Sequence, residues 1–271
     1  MVHSEEIKRG ERFSFGDNWC QFLSVLDDKR ITVAETSLRN MLGDVHLEGK
    51  TVLDIGSGSG LFSLAARRLG ARVHSFDYDP RSVACTAELK RRYFPDDATW
   101  VVDEGSVLDI EYLQGLGQFD LVYSWGVLHH TGQMWHALLN TSEMVRSDGT
   151  LFVSIYNDQG WISKYWTCVK IIYNKGIIGK ATMTLLHVPY LFCARYLVRK
   201  LTGRLSIERG MSLWYDTIDW LGGYPFEVAS PDDIFSFFYK KDFVLKKLRT
   251  CRGRMGCNEF VFSKRGENTK E

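Results

Sequence analysis

The sequence predicts an α/β fold, a mainly parallel sheet wound with helices and carrying a helical insertion late in the chain. Short apolar runs of strand length recur in TVLDIGSGSG, ARVHSFDYDP, TWVVDEGSVLD and FDLVYSWGVLHHTG. Each ends in glycine or acidic residues and gives way to another segment, the alternation expected of strands joined by helical crossovers. With 271 residues and 45% hydrophobic content, the chain can bury one full core as a single domain spanning 1–271.

Charge and cysteine usage narrow the setting. A net charge of +1 gives no global pull toward nucleic acid, and none is expected as a partner. Six cysteines without regular pairing suggest a reducing compartment. The polar opening MVHSEEIKRGERF has no apolar leader core, and no apolar run reaches bilayer-spanning length, so a cytoplasmic chain is expected. Cys251 and Cys257, the one close pair, lack a nearby histidine and match a zinc site poorly.

Residues 1–45 read as a helical cover, a pair of helices packed against the sheet. Aromatics at Phe13, Phe15, Trp19 and Phe22 precede a helical pattern through Ile31, Ala34, Leu38 and Leu42. Packing on the sheet is the simpler reading of these aromatics. The functional one folds Phe13, Phe15, Gly16 and Trp19 over a ligand mouth, with Trp19 the substrate-side candidate.

The core, 46–158, opens with a strand through Val52, Leu53 and Ile55 that breaks into glycines at 56, 58 and 60 before the helix LFSLAARRLG. Such a bend brings backbone N–H groups close to a nucleotide-like ligand, although an ordinary tight turn has the same form. The dinucleotide fingerprint asks for a further glycine where Leu61 stands, and the pattern is instead D-x-G-x-G-x-G from Asp54. The second strand ends at Asp77, about twenty residues past the first glycine, where an acid can accept ribose hydroxyls. Asp79 then reads as a cap for a helix opened by Pro80. A third strand ends at Gly105-Ser106-Val107. The central strand through Leu121, Val122 and Tyr123 ends at Ser124-Trp125-Gly126, beside the first strand at the switch point where such sheets bind ligands. Asp148-Gly149 reads as a turn before a fifth strand that ends at Tyr156 and Asn157. The last segment, 228–271, reads as the helix PDDIFSFFYKK and a closing hairpin, FVLKKLRTC and NEFVFSK, turned by RGRMG.

Together these stretches resemble the class I S-adenosylmethionine-dependent methyltransferases. VLDIGSGSG resembles the family's motif I, DYDP its D-x-[S/D]-P motif II, and FDLVYSWGVLHH its motif IV. They occur in the family's order and separations, and the resemblance covers roughly residues 48–158 and 228–264. It implies a Rossmann-like seven-stranded methyltransferase sheet with the last strand antiparallel, S-adenosyl-L-methionine as cofactor and S-adenosyl-L-homocysteine as product. The cofactor-binding residues it implies are Asp54, Gly56, Ser57, Gly58, Gly60, Asp77, Tyr78, Ser106, Val107, Ser124 and Trp125. In the family the turn after the third strand often reads G-D-[A/V]; Ser106 replaces that acid, which gives the adenine contact to Ser106 and the Val107 backbone. The nearest subgroup is the 3-demethylubiquinone O-methyltransferase type, which shares an insertion and an asparagine after the fifth strand. Its E-x-L-E-H string falls on Gly126 to His130 here, so both acids that help it hold a metal are missing and no metal is expected.

The insertion, 159–227, lies where many methyltransferases place a substrate lid. From Trp161 to Gly210 it carries nine Lys/Arg against one acid, Glu208. The same stretch is rich in Trp, Tyr, Ile and Leu, with helical spacing in LLHVPYLFCARYLVRKL. Two compatible readings follow: a lid whose apolar face packs on the core with its lysines in water, or an amphipathic surface for an anionic membrane or lipidic substrate. The stretch GMSLWYDTIDWLGGYPFE offers Tyr215, Asp219, Trp220 and Tyr224 as substrate-side candidates, with Tyr156 and Asn157 from the fifth strand.

The expected chemistry is methyl transfer to a small-molecule or lipid-linked acceptor, most simply at a hydroxyl. Positioning supplies much of such a displacement, and a base assists when the acceptor is a hydroxyl. His129 and His130 follow the central strand and are the catalytic candidates. Successive helical residues point about 100° apart, so at most one of them faces the acceptor. The alternatives are N- or C-methylation, including of RNA through the basic insertion, and a non-catalytic peripheral membrane protein retaining the fold.

Overall fold

A computed structural model of the chain describes residues 2–43, 45–201 and 213–266. Its centre is a seven-stranded sheet in the order β3-β2-β1-β4-β5-β7-β6. The strands are β1 (Thr51–Ile55), β2 (Arg72–Asp77), β3 (Trp100–Glu104), β4 (Phe119–Trp125), β5 (Val145–Tyr156), β6 (Phe243–Arg249) and β7 (Cys257–Lys264). β1 pairs in parallel with both β2 and β4, which puts the first crossover reversal between β1 and β4. β7 runs antiparallel to both β5 and β6, so the last strand is the reversed one, as the resemblance implies.

Alternation along these strands divides the core. Val52, Leu121, Tyr123 and Phe152 face one layer, built with α2 (Gly16–Ser24), α3 (Asp28–Leu42), α4 (Leu61–Arg68) and α5 (Pro80–Tyr93). Leu53, Ile55, Val122, Leu151 and Val153 face the other, built with α6 (Ile110–Leu116), α7 (Met134–Glu143) and α11 (Pro231–Tyr239). The helix starts follow their sequence signals. Asp27, Asp79, Asp109 and Ser230 each accept a backbone N–H of the turn they cap, and Ser230 with Asp233 completes a capping box.

Two local expectations need correction. The Asp148-Gly149 turn lies inside β5, not before it: pairing with β4 jumps from Phe119–Val145 to Leu121–Thr150, and Asp148 takes φ 60°. The extra residues are absorbed as a bulge, which lets the strand start earlier than its apolar run. The N-terminal cover also has a third helix, α1 (Val2–Lys8), in a polar stretch with little periodicity.

The insertion forms α8 (Trp161–Asn174), α9 (Ile177–Leu201) and α10 (Leu213–Gly222). Its buried face gathers Trp166, Val169, Tyr173, Met183, Leu191, Leu221 and Phe226 around Phe13 of the N-terminal segment. Burying each large side chain of this group contributes roughly 1.5–3 kcal/mol, enough to dock the insertion on the N-terminal cover. Phe13 N also donates to Tyr224 O at 2.8 Å, joining the two segments by backbone.

Candidate functional site

A cavity of about 770 Å3 opens at the C-terminal ends of β1, β2 and β4. That volume lies within the usual range for small-ligand sites.

The β1–α4 turn forms one wall. Gly58 holds φ 55°, and a Cβ there would meet the Trp19 indole at 3.0 Å, so a side chain would be strained and would crowd the aromatic above it. Gly58 N donates to Asp77 Oδ2 at 2.9 Å and Asp79 N to Asp77 Oδ1 at 2.9 Å. Asp77 is thereby oriented at the end of β2, and burial lifts its carboxyl to about 6. Asp54 accepts a short hydrogen bond from Ser63 Oγ, and burial lifts it further, to about 7. Asp54, Gly56, Ser57, Gly58, Asp77 and Tyr78 all line the cavity, as do Ser106 and Val107 after β3 and Trp125 at the end of β4.

The opposite wall is aromatic. Tyr156 lies 4.0 Å from the His129 ring, 5.5 Å from His130, and 5.2 Å from both Trp220 and Phe226, centre to centre. His130, Tyr156, Trp220, Asp219, Phe15 and Trp19 line this part of the cavity. The two histidines differ sharply. His130 Nδ1 is 2.6 Å from Pro225 O; a carbonyl only accepts, so Nδ1 carries the proton and Nε2 keeps its lone pair. Burial, reinforced by Lys170 and Arg12, pushes this imidazole down to about 3, so it is neutral at physiological pH. His129 is wholly buried and outside the lining. Its Nδ1 accepts from Tyr156 N at 3.4 Å, and its Nε2 has no hydrogen-bond partner. The pair therefore resolves to one cavity-facing histidine.

Several other sequence candidates sit behind the lining. Gly60 is the N-cap of α4 and packs against Thr86. Ser124 is buried in the sheet and donates to Ile55 O at 3.1 Å. Asn157 accepts from Asn258 Nδ2 at 2.9 Å and joins β5 to the β6–β7 loop, which brings Met255, Gly256 and Cys257 to the cavity. Tyr224 is absent from the lining and acts through its backbone carbonyl. The side chain of Tyr215 lies outside the described residues. The Gly222-Gly223 pair is a packed corner: a Cβ at Gly223 would meet His130 Cε1 at 3.1 Å and Phe15 at 3.2 Å.

Sequence reading missed two cations. Lys170, counted among solvated lysines, is fully buried. Its Nζ donates to Trp220 O and sits 4.6 Å from the Trp220 ring centre and 4.7 Å from that of Phe226. Burial drives it down to about 7. The spacing Ser163, Trp166, Val169, Lys170, Tyr173 along one face of α8 was the available signal. Arg12 lines the cavity, donates to His130 O at 2.9 Å and Glu6 at 2.8 Å, and lies 4.9 Å from the Tyr78 ring centre. It had no sequence signal.

The family profile described as "Methyltransferase domain" matches residues 28–206. The ribosomal protein L11 methyltransferase of Methylococcus capsulatus is 41% identical over 71 residues, 26% of this chain and 24% of that protein. The ubiquinone biosynthesis O-methyltransferase of Rhizobium etli is 31% identical over 112 residues, 41% of this chain and 43% of that protein. The chain thus spans less than half the length of these relatives. Among solved structures, magnesium protoporphyrin IX methyltransferase from Synechocystis PCC 6803, with bound SAH, aligns with a TM-score of 0.54 at 14% identity, covering 92% of this chain and 93% of that one. An O-methyltransferase family protein from Burkholderia thailandensis gives 0.55 at 10% identity, over 89% of this chain and 58% of that one. At such identities these two structures speak to the fold.

Proposed function

The chain belongs to the methyltransferase-domain family, and on that premise we propose that it moves the methyl group of S-adenosylmethionine to a hydroxyl of a small, flat or lipid-linked acceptor, with His130 as base. The observation that carries this reading is the Nδ1-to-Pro225 hydrogen bond, which leaves Nε2 of the cavity-lining His130 unprotonated beside Tyr156.

The residues present fit the cofactor. Gly58 keeps the turn bare beneath Trp19, and Asp77 offers a carboxylate already held by two backbone N–H groups. In this reading Asp77 accepts the ribose hydroxyls, Ser106 and the Val107 backbone meet the base, and Trp19 covers the turn. When bound, the cofactor supplies an electrophilic methyl on a positively charged sulfur. Tyr156, Trp220 and Phe15 hold a planar acceptor by its faces, where stacked rings gain more than area alone. His130 Nε2 takes the acceptor's proton as oxygen becomes nucleophilic, and it gains a positive charge as one is lost at the donor sulfur. The net charge of the buried site is unchanged by that exchange, which suits an imidazole whose isolated protonation is disfavoured.

The test is incubation of the protein with methyl-labelled S-adenosylmethionine and fractionated cell metabolites, followed by mass spectrometry of labelled products. Label on oxygen supports the reading. Label confined to nitrogen or carbon overturns it.

A further inference from the structure

Helices α8 and α9 pack against each other and leave a large outward apolar surface. On α8, Trp161, Tyr165 and Ile172 are exposed and fall within about 40° of one another around the helix. On α9, Ile178, Leu185 and Tyr196 share one stripe, with Leu186, Tyr190 and Leu197 beside it. The exposures are large for such residues: 76% at Trp161, 88% at Ile177, 83% at Ile178 and 77% at Leu185. Contiguous exposed apolar surface of this kind marks an interaction site.

The charge of the same segment identifies its partner. From Trp161 to Leu201 the chain has seven Lys/Arg and no Asp or Glu, and one of the seven, Lys170, is buried in the interior. Lys164, Lys175 and Lys180 are exposed, with Lys180 set toward Tyr173 of α8. We propose that the α8–α9 face seats on an anionic lipid bilayer, its aliphatic side chains at the acyl boundary and its lysines among the headgroups. A second copy of this chain fits poorly, because a two-fold contact would set this wholly basic segment against itself. Nucleic acid fits poorly because Ile and Leu offer no stacking platform for bases. No helix among the described residues is long and apolar enough to cross a membrane, so the face lies on the bilayer. The segment also borders the cavity: Tyr190, 71% exposed, and its neighbour Leu191 both line it. An acceptor partitioned in the bilayer therefore meets the cavity rim where the protein meets the lipid.

Cosedimentation of the full chain with phosphatidylcholine vesicles, with and without phosphatidylglycerol, tests this. The expected result is binding to the anionic vesicles alone, weakened by salt. It should fall at least ~10-fold in Ile177→Asp/Ile178→Asp and in Leu185→Glu/Leu186→Glu, because each pair withdraws aliphatic surface from the lipid. Both variants should keep wild-type affinity for S-adenosylhomocysteine in calorimetry, which separates this test from that of the proposed reaction. Three results would overturn the proposal: no binding to anionic vesicles, equal binding by folded variants, or a wild-type dimer in light scattering that the substitutions dissociate.

Discussion

His130 and Asp77 divide the work of the site between an acceptor side and a donor side, and each is tested by one substitution. His130→Ala should lower turnover by roughly 10²–10³-fold with cofactor affinity intact, since it removes a proton acceptor and no donor-side contact. His129→Ala should instead lower the melting temperature, because that ring is fully buried against Tyr156. Asp77→Asn should weaken S-adenosylhomocysteine binding by roughly 10–100-fold in calorimetry. Its carboxyl is raised to about 6, so wild-type affinity should also fall as pH drops from 7 to 5, while the Asn variant stays flat over that range. Asp54 gives a stability test. Its carboxyl sits near 7 in the fold against 3.8 ordinarily, so the cost of ionising it is absent below about pH 4, grows as pH rises, and is complete above 7. Asp54→Asn should therefore gain stability over the wild type as pH rises from 4.5 to 8, on the order of 2–4 kcal/mol in denaturation of the ligand-free protein. The glycine turn and Asp77 were legible in the sequence because backbone geometry and a strand-end acid leave a pattern in spacing. The choice between His129 and His130 was not, because it turns on a carbonyl from Pro225, which is distant in sequence.

At the scale of the element, α8 shows how a basic residue can belong to the interior. Lys170 shares the buried face of the helix with Trp166 and Tyr173, under the rings of Trp220 and Phe226. Burial lowers it from 10.5 to about 7, so the fold resists its protonation. That cost is absent above about pH 10.5, grows as pH falls, and is complete below 7. Lys170→Met should remove this dependence, and chemical denaturation between pH 7 and 10 should show the wild type gaining on the variant as pH rises. Composition alone placed this lysine in water, since counting charges over the insertion ignores which face each one occupies. The β5 bulge was hidden for a similar reason. Asp148-Gly149 has the chemistry of a turn, and only pairing with β4 reveals that the strand continues through it.

At the scale of the molecule, the succession of strands and the closing hairpin are displayed openly in the sequence, while the sheet with its reversed last strand came from the resemblance those stretches carry. The cavity's far wall does not, because it is assembled from Phe15, Tyr156 and Trp220, in three segments that no periodicity connects. The N-terminal cover is tied by side chains to the core, where Gly16 N donates to Asp79 Oδ2 at 2.8 Å, and to the insertion, where Asn18 donates to Asp219. One acid thus caps α5 and anchors the cover. Asp79→Ala should cost about 1–2 kcal/mol in thermal denaturation, more than loss of an exposed cap alone.

The position of β7 has a bearing on how the chain is made. β5 pairs on one side with β4, nearby in sequence, and on the other with β7, where Tyr156 meets Cys257 and Thr150 meets Ser263. During synthesis that second edge waits for roughly a hundred further residues to emerge, an entropic delay typical of non-local strand pairing. Throughout that interval Val153 and Ile155, wholly buried once folding is complete, lie along an open strand. The nascent chain is thus open to misassociation along this edge until β7 emerges, and the helices of the insertion, made in the meantime, are the material at hand to shield it.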